Sequence, residues 1–269
     1  MVPDYSQTIM HRSVGYVNSD YLKAAADLLL QFKLRTYEHM QIVPGTAVLD
    51  VGCGAGADTI PLAGLAGTAG KVAGVDHDRE MVRRARLAAE AQGVSGNVIH
   101  VCADASNLPF PSNSFEACRS ERLFQHLPHP QTALAEMVRV TKPGGRLVVM
   151  DTDHGTWSVD TPERDIERRI TRFKADHFGH NGYAGRQLFG LLRKAGLQEV
   201  TCEVISGYFT NYELVRFMFM LDEVEPAAVK AGVINEEELI RWRTSLEAAA
   251  AAGTFFCSES MLLVVGRKP

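Results

Sequence analysis

The chain has 269 residues, 46% of them hydrophobic, and a net charge of −4, enough apolar material for one large α/β domain or a domain with a cap. The mild acidity argues against a broad nucleic-acid footprint, no apolar run reaches the roughly 18 residues of a membrane span, and the amino terminus lacks the basic-then-apolar pattern of a secretory signal. Cys53, Cys102, Cys118, Cys202 and Cys257 form an odd set without a Cys-x-x-Cys pair, which points to structural thiols in a reducing cytoplasm.

Residues 19–40 carry Tyr21, Leu22, Ala25, Leu28, Leu29, Phe32 and Tyr37 at helical spacing behind Asn18 or Ser19 as a cap, so a first amphipathic helix is predicted. Val48-Leu49-Asp50-Val51 then reads as a buried strand of a parallel sheet. Gly52-Cys53-Gly54-Ala55-Gly56 is a turn sharp enough for its backbone to lie against a ligand. Residues 57–66 are apolar enough to be the next helix, with its unpaired N–H groups and positive dipole end aimed over the turn. The spacing is G-x-G-x-G, not the dinucleotide G-x-G-x-x-G, and an acid precedes it.

Lys71-Val72-Ala73-Gly74-Val75-Asp76 is a second strand ending in an acid, followed by a helix over 79–91 with Asp78 as its better cap. Asp76 lies 26 residues after Asp50, a βαβ distance, where a carboxylate can accept from both vicinal hydroxyls of a ribose. Asn97 to Ala105 is a third strand, ending in Asp104; an Asp turn is the plain alternative role for that residue. A fourth strand over 114–119, a helix over 133–140, a Pro143-Gly144-Gly145 turn and a fifth strand over 146–150 follow. Beyond them come helices over 162–175 and 185–194, a sixth strand over 197–205, more helices within 211–252 and a seventh strand over 254–266. Glu247 to Gly253 is a helix end with a glycine stop.

The stretch V-L-D-V-G-C-G-A-G resembles the first motif of the class I S-adenosylmethionine-dependent methyltransferases. E-M-V-R-V-T-K-P-G-G-R-L-V-V, before the fifth strand, is similar to their ubiquinone- and menaquinone-biosynthesis members. The resemblance covers residues 46–152 well and the remainder only by layout. It implies an α/β fold with a doubly wound, seven-stranded, mostly parallel Rossmann-like sheet and a helical lid. The expected organisation is a single domain over 1–269: a core at 46–152 completed by strands in 197–206 and 254–267, and a lid from 1–40, 153–195 and 207–253. It further implies S-adenosyl-L-methionine as cofactor and S-adenosyl-L-homocysteine as product. Asp50, Gly52, Cys53, Gly54 and Gly56 would belong to the cofactor site at the loop, Asp76 would bind the ribose, and His77 and Ser120 are further cofactor-binding candidates. Asp104 would take the adenine amino group and the Ala105 N–H a ring nitrogen.

A sulfonium methyl is already activated, so an enzyme of this kind mainly aligns the acceptor, an effect worth roughly 7–11 kcal/mol. A general base is needed only where the acceptor loses a proton. His154 after the fifth strand and His126 after the fourth are the candidates, and a histidine's ordinary pKa near 6.5 suits the task. Tyr21, Phe124 and Trp157 are candidate acceptor contacts, and Tyr16 or Tyr21 could close over a cation. Phe217-Met218-Phe219-Met220 suits lid core or a greasy acceptor, and the arginines at 164, 168, 169 and 172 suit a solvated helix face or an anionic acceptor. His177 and His180 have metal-like spacing without a second ligand cluster, so no metal is expected. The implied activity is methyl transfer to O, N or C of a small, apolar or aromatic molecule. An RNA-modifying enzyme and a cofactor-binding protein without transfer remain the alternatives, although the [DN]-P-P-[YF] signature of base methylation is missing. Association into a homo-oligomer stays open.

Overall fold

The structure, a computed structural model, describes residues 19–269, with side chains from Leu30 onward. The side chains of Tyr16 and Tyr21 lie outside the described residues. The first helix, α1 (Ser19–Met40), has the expected bounds. In β1 (Ala47–Val51), Val48, Leu49 and Val51 are fully buried, and each such side chain contributes about 1.5–3 kcal/mol relative to exposure. Burial on both faces makes it a central strand. It pairs in parallel with β2 (Lys71–Asp76) on one side and β4 (Phe115–Glu121) on the other, with Val48 opposite both Val72 and Ala117. β3 (Val98–Cys102) pairs in parallel with β2, and β5 (Thr141–Val159) with β4.

With β6 (Gln198–Phe209) and β7 (Cys257–Arg267), the sheet order is β3-β2-β1-β4-β5-β7-β6. Gly144 N–H bonds Lys268 O at one end of β5, and Asp160 N–H bonds Phe256 O at the other, so β7 runs antiparallel to β5. The chain leaves β1 toward β2 on one side and reaches β4 on the other. This reversal is where open α/β sheets take ligands, outside the carboxyl ends of the strands.

Three local expectations change. Helix α2 (Thr59–Ala66) starts two residues late, because residues 54–58 stay in a turn and Asp58, in front of it, makes no side-chain cap. The Lys142-Pro143-Gly144-Gly145 segment is not a turn ahead of β5 but an irregularity inside it: Phe115 faces Thr141 while Ala117 faces Arg146. Proline offers no N–H to the ladder and Gly144 takes φ +76°, so the extra residues are absorbed there. β5 also continues to Val159, so Asp151 to Trp157 belongs to the strand and not to a loop after it. By contrast α3 (Arg79–Ala91) matches its predicted bounds, and Asp78 caps it by accepting from Glu80 N and Met81 N.

The chain divides into two compact units, with the division falling inside α1, β5, β6 and β7. One comprises residues 30–151, 185–203 and 262–269 and carries β1 to β4, α2, α3, α4 (Pro130–Val140) and α6 (Ala184–Lys194) but for its first residue. The other comprises residues 1–29, 152–184 and 204–261, with α5 (Arg164–His177), α7 (Tyr212–Met218), α8 (Leu221–Lys230) and α9 (Glu236–Ala251). Its core is aromatic: Trp157 stacks on Phe219 at 5.1 Å and meets Trp242 edge-on at 6.4 Å. Ile166, Ile170 and Phe173 reach this core from one face of α5, and Leu239, Trp242 and Leu246 from one face of α9. Asn235 and Glu238 form a capping box on α9, and Gly253, at φ +69°, ends the segment behind it. No helix among the described residues is long and apolar enough to cross a membrane.

Candidate functional site

The glycine turn follows β1 directly. Gly52 N–H and Cys53 N–H both bond Val75 O, at 2.8 and 2.9 Å, which ties the start of the turn to β2. Gly52, Gly54 and Gly56 have φ of +80°, +52° and +85°, values that glycine adopts without strain. The two later glycines are needed for different reasons. A Cβ on Gly56 would stand 3.0 Å from the Ala85 Cβ of α3, so the turn packs on that helix. Among the described residues, a Cβ on Gly54 would meet nothing within 4 Å.

Asp76, at the carboxyl end of β2, faces the same turn. Its Oδ2 accepts Gly54 N–H at 2.9 Å and its Oδ1 accepts Asp78 N–H at 2.9 Å. Asp76 and Gly54, chosen separately from the sequence, are thus bonded to each other. His77 beside it is exposed, with Nδ1 3.5 Å from Asp76 Oδ1. Asp104 makes the plain Asp turn: Oδ1 accepts Ser106 N–H and Oγ–H, both at 2.7 Å, and these bonds hold its carboxyl below the usual range. Ala105 is buried behind it. Cys53 is buried too, and burial pushes its thiol up, away from thiolate chemistry.

Below the turn lies a charge cluster that the sequence reading missed. Arg119 of β4, 1% exposed, directs Nη1 to Asp50 Oδ1 at 2.9 Å and Nε to Thr36 Oγ1 at 2.8 Å. Its Nη2 bonds Glu121 and lies 3.3 Å from Asp58 Oδ1. Lys33 Nζ is 2.6 Å from Asp58 Oδ2, and the Tyr37 hydroxyl donates to Asp58 Oδ1. Burial pushes the Asp50 carboxyl up to about 6 against the pull of Arg119. Burial also acts to raise Asp58, but Arg119, Lys33 and Tyr37 together hold it below the usual range. An arginine at the end of the predicted fourth strand, 114–119, was the available signal. Asp50 Oδ2 and Ser120 Oγ are buried with no hydrogen-bond partner among the described residues.

His100 on β3 supports the turn from beneath. Thr59 Oγ–H donates to Gly56 O at 3.1 Å, so the His100 Nε2–H must donate to Thr59 Oγ1 at 2.8 Å. Burial first, then the charge of Arg86, holds this imidazole below its ordinary pKa.

Phe124 is buried in a single 3-10 turn over Phe124–His126, and His126 is exposed at its end. Trp157 sits inside the aromatic core of the helical unit, 2% exposed. His154 is half-buried on β5, with Nδ1 2.7 Å from Glu259 Oε1. His177 stacks on Phe173 at 4.6 Å, and Arg169 pairs with Asp165 and Glu238. Among the described residues no three His, Cys, Asp or Glu side chains are grouped to hold a metal ion.

The fold and the turn have counterparts among known proteins. A family model described as a methyltransferase domain matches residues 49–149. An uncharacterised 37.1 kDa protein in transposon TN4556 of Streptomyces fradiae is 33% identical over 247 residues, 91% of this chain and 69% of that one. The ubiquinone/menaquinone biosynthesis C-methyltransferase UbiE of Ectopseudomonas mendocina is 38% identical over 120 residues, 45% of this chain and 47% of its own length. The match thus spans about half of that relative. The crystal structure of a candidate methyltransferase from Bacillus halodurans C-125 aligns with TM-score 0.63 at 20% identity, covering 89% of this chain and 99% of its own. The strand order, the glycine turn and these matches agree: the chain belongs to the class I S-adenosylmethionine-dependent methyltransferases.

Proposed function

We propose that the chain binds S-adenosyl-L-methionine at the glycine turn and transfers its methyl group to O, N or C of a small, apolar or aromatic acceptor, releasing S-adenosyl-L-homocysteine. The observation that carries the reading is the Asp76 carboxylate. Two backbone N–H groups orient it, one from the turn itself, and they occupy only half of its roughly four acceptor positions. The other half suits a vicinal diol. Asp50 Oδ2 and Ser120 Oγ, buried with no hydrogen-bond partner among the described residues, and Gly54, whose Cβ position meets none of those residues within 4 Å, also fit a polar, partly cationic ligand.

The cofactor supplies an activated sulfonium methyl. This chain's own residues supply binding and alignment: Asp76 orients the ribose, the glycine turn lets the backbone approach, and Asp104 with the Ala105 N–H reads the adenine. His154 takes the proton from an oxygen or nitrogen acceptor. The UbiE-type relative is by name a C-methyltransferase of ubiquinone and menaquinone biosynthesis, which favours a quinone-like aromatic acceptor here. The net charge of −4 suits a small molecule in the cytoplasm better than RNA.

Calorimetry with S-adenosyl-L-homocysteine, followed by transfer of labelled methyl into a cell extract, tests the reading. Binding and a labelled organic-soluble product are expected. Absence of binding overturns the cofactor, and label recovered in RNA overturns the acceptor class.

A further inference from the structure

Three titratable side chains from three elements of the helical unit meet at one ring nitrogen. Nδ1 of His154, on β5, lies 2.7 Å from Glu259 Oε1 on β7 and 3.1 Å from Lys174 Nζ on α5. The side chains of His154 and Glu259 are 19% and 12% exposed, and Lys174 is buried. The strand geometry makes the meeting possible: β7 runs antiparallel to β5, with Ser260 N–H bonded to Thr156 Oγ1 at 2.9 Å beside the pair.

One nitrogen cannot serve both neighbours at once. A carboxylate only accepts and an ammonium only donates, so Nδ1 either gives a hydrogen to Glu259 or takes one from Lys174. The second arrangement would set the nitrogen lone pair against a carboxylate oxygen at 2.7 Å, whereas the first makes that distance a charge-assisted bond. Lys174 has other support for its charge. Its Nζ lies over the Phe219 ring, 5.2 Å from the centroid, and the Glu259 charge favours the ammonium, although burial, the larger effect, holds its pKa below the ordinary value. The neighbouring Asp153 carboxylate accepts from Gly155 N–H, and the His154 main-chain N–H donates to Gly182 O.

We propose that Glu259 is a positioning residue for His154, accepting its Nδ1–H and so holding the ring in the tautomer whose basic atom is Nε2. A carboxylate behind an imidazole fixes both tautomer and orientation, and it stabilises the imidazolium once formed. For its consequence in catalysis the inference rests on the reading of His154 as the base. His154 Nε2 then takes the proton that an oxygen or nitrogen acceptor loses on bonding to the methyl carbon. The electrons of the broken carbon–sulfur bond stay on sulfur, and Glu259 remains ionised beside the imidazolium.

Nitrogen-15 NMR of histidine-labelled protein at alkaline pH reads the tautomer without turnover, with His154→Gln assigning the signal. The wild type should show a protonated Nδ1 and an unprotonated Nε2. Glu259→Gln should convert this to a mixture or to the Nε2–H form, Glu259→Asp should restore part of it, and Lys174→Met should leave it in place. In turnover, Glu259→Gln should lower kcat at least about tenfold while KM for the cofactor stays unchanged. An Nε2–H wild type, or a tautomer that follows Lys174→Met and ignores Glu259→Gln, overturns the proposal. If the tautomer behaves as expected but His154→Gln turns over normally, Glu259 still positions the ring and only the reading of His154 as base falls.

Discussion

Asp76→Ala removes a carboxylate that holds two backbone N–H groups, Gly54 N and Asp78 N, each at 2.9 Å. Hydrogen bonds to a charged group contribute about 1.5–3 kcal/mol each, with the upper end reserved for groups that water cannot reach. The Asp76 side chain is 13% exposed, so water can replace part of the loss, and the free protein should lose about 2–3 kcal/mol of stability. The bonds to the ribose hydroxyls are lost separately. At about 1.5–3 kcal/mol they correspond to a rise in Kd for S-adenosyl-L-homocysteine of roughly 10- to 150-fold.

Weaker binding alone would not identify the diol as the partner, because a loosened glycine turn would also weaken it. The 2′-deoxy analogue of S-adenosyl-L-homocysteine separates the two. Wild type should bind the analogue about tenfold or more weakly than the parent, while Asp76→Ala should bind both alike. Isothermal calorimetry on the four combinations, with urea melts of both proteins, measures every quantity required. An undiminished preference for the parent compound in Asp76→Ala would refute ribose binding by Asp76, whatever happened to stability.

Gly56→Ala places a Cβ 3.0 Å from the Ala85 Cβ at φ +85°, and should cost about 1–3 kcal/mol in a urea melt. Gly54→Val meets no atom of the described residues within 4 Å of its Cβ, so beyond about 1–2 kcal/mol of backbone strain it should act on ligand affinity; a normal Kd would remove the turn from the site. Arg119→Met strands the buried Asp50 beside Asp58 and Glu121, and should destabilise by about 3–5 kcal/mol; a loss below about 1 kcal/mol would mean the cluster is solvated. Because burial and Arg86 depress the folded pKa of His100, its contribution to stability is complete above the ordinary value near 6.5 and is lost as pH falls below it. Melts from neutral to mildly acidic pH should therefore show a decline that His100→Asn flattens, and an unchanged slope would count against that assignment.

Much of the fold was legible because its signals are local. The alternation of short apolar strands ending in acids with amphipathic runs identifies β1, β2 and α3, and Asp78 announces its helix by a cap that needs only three residues. The errors arose where long-range pairing decides. Nothing near Pro143-Gly144-Gly145 tells that β4 skips over these residues, since the register is set by Phe115 and Ala117 on another strand. Nothing in Asp151 to Trp157 tells that the strand continues, because its partner β7 begins about a hundred residues later. The site divides the same way. Gly54 and Asp76 could be read from spacing, whereas Glu259 could not be joined to His154 across 105 residues.

The cluster around Arg119 shows why an acid in front of the glycine turn needs more than the turn itself. A carboxylate 1% exposed at the centre of a sheet would take up a proton, and burial does push Asp50 up to about 6. The guanidinium opposes that push and keeps an ionised oxygen available at the carboxyl end of β1. Yet Arg119 is shared among Asp50, Asp58 and Glu121; among the described residues Lys33 bridges Asp58 and Glu121, and Arg122 Nε lies 3.4 Å from Glu121 Oε1. Three carboxylates thus face three cations, and with the Arg119 side chain 1% exposed against 18% for Lys33 and 42% for Arg122, the compensation of Asp50 rests on that one guanidinium.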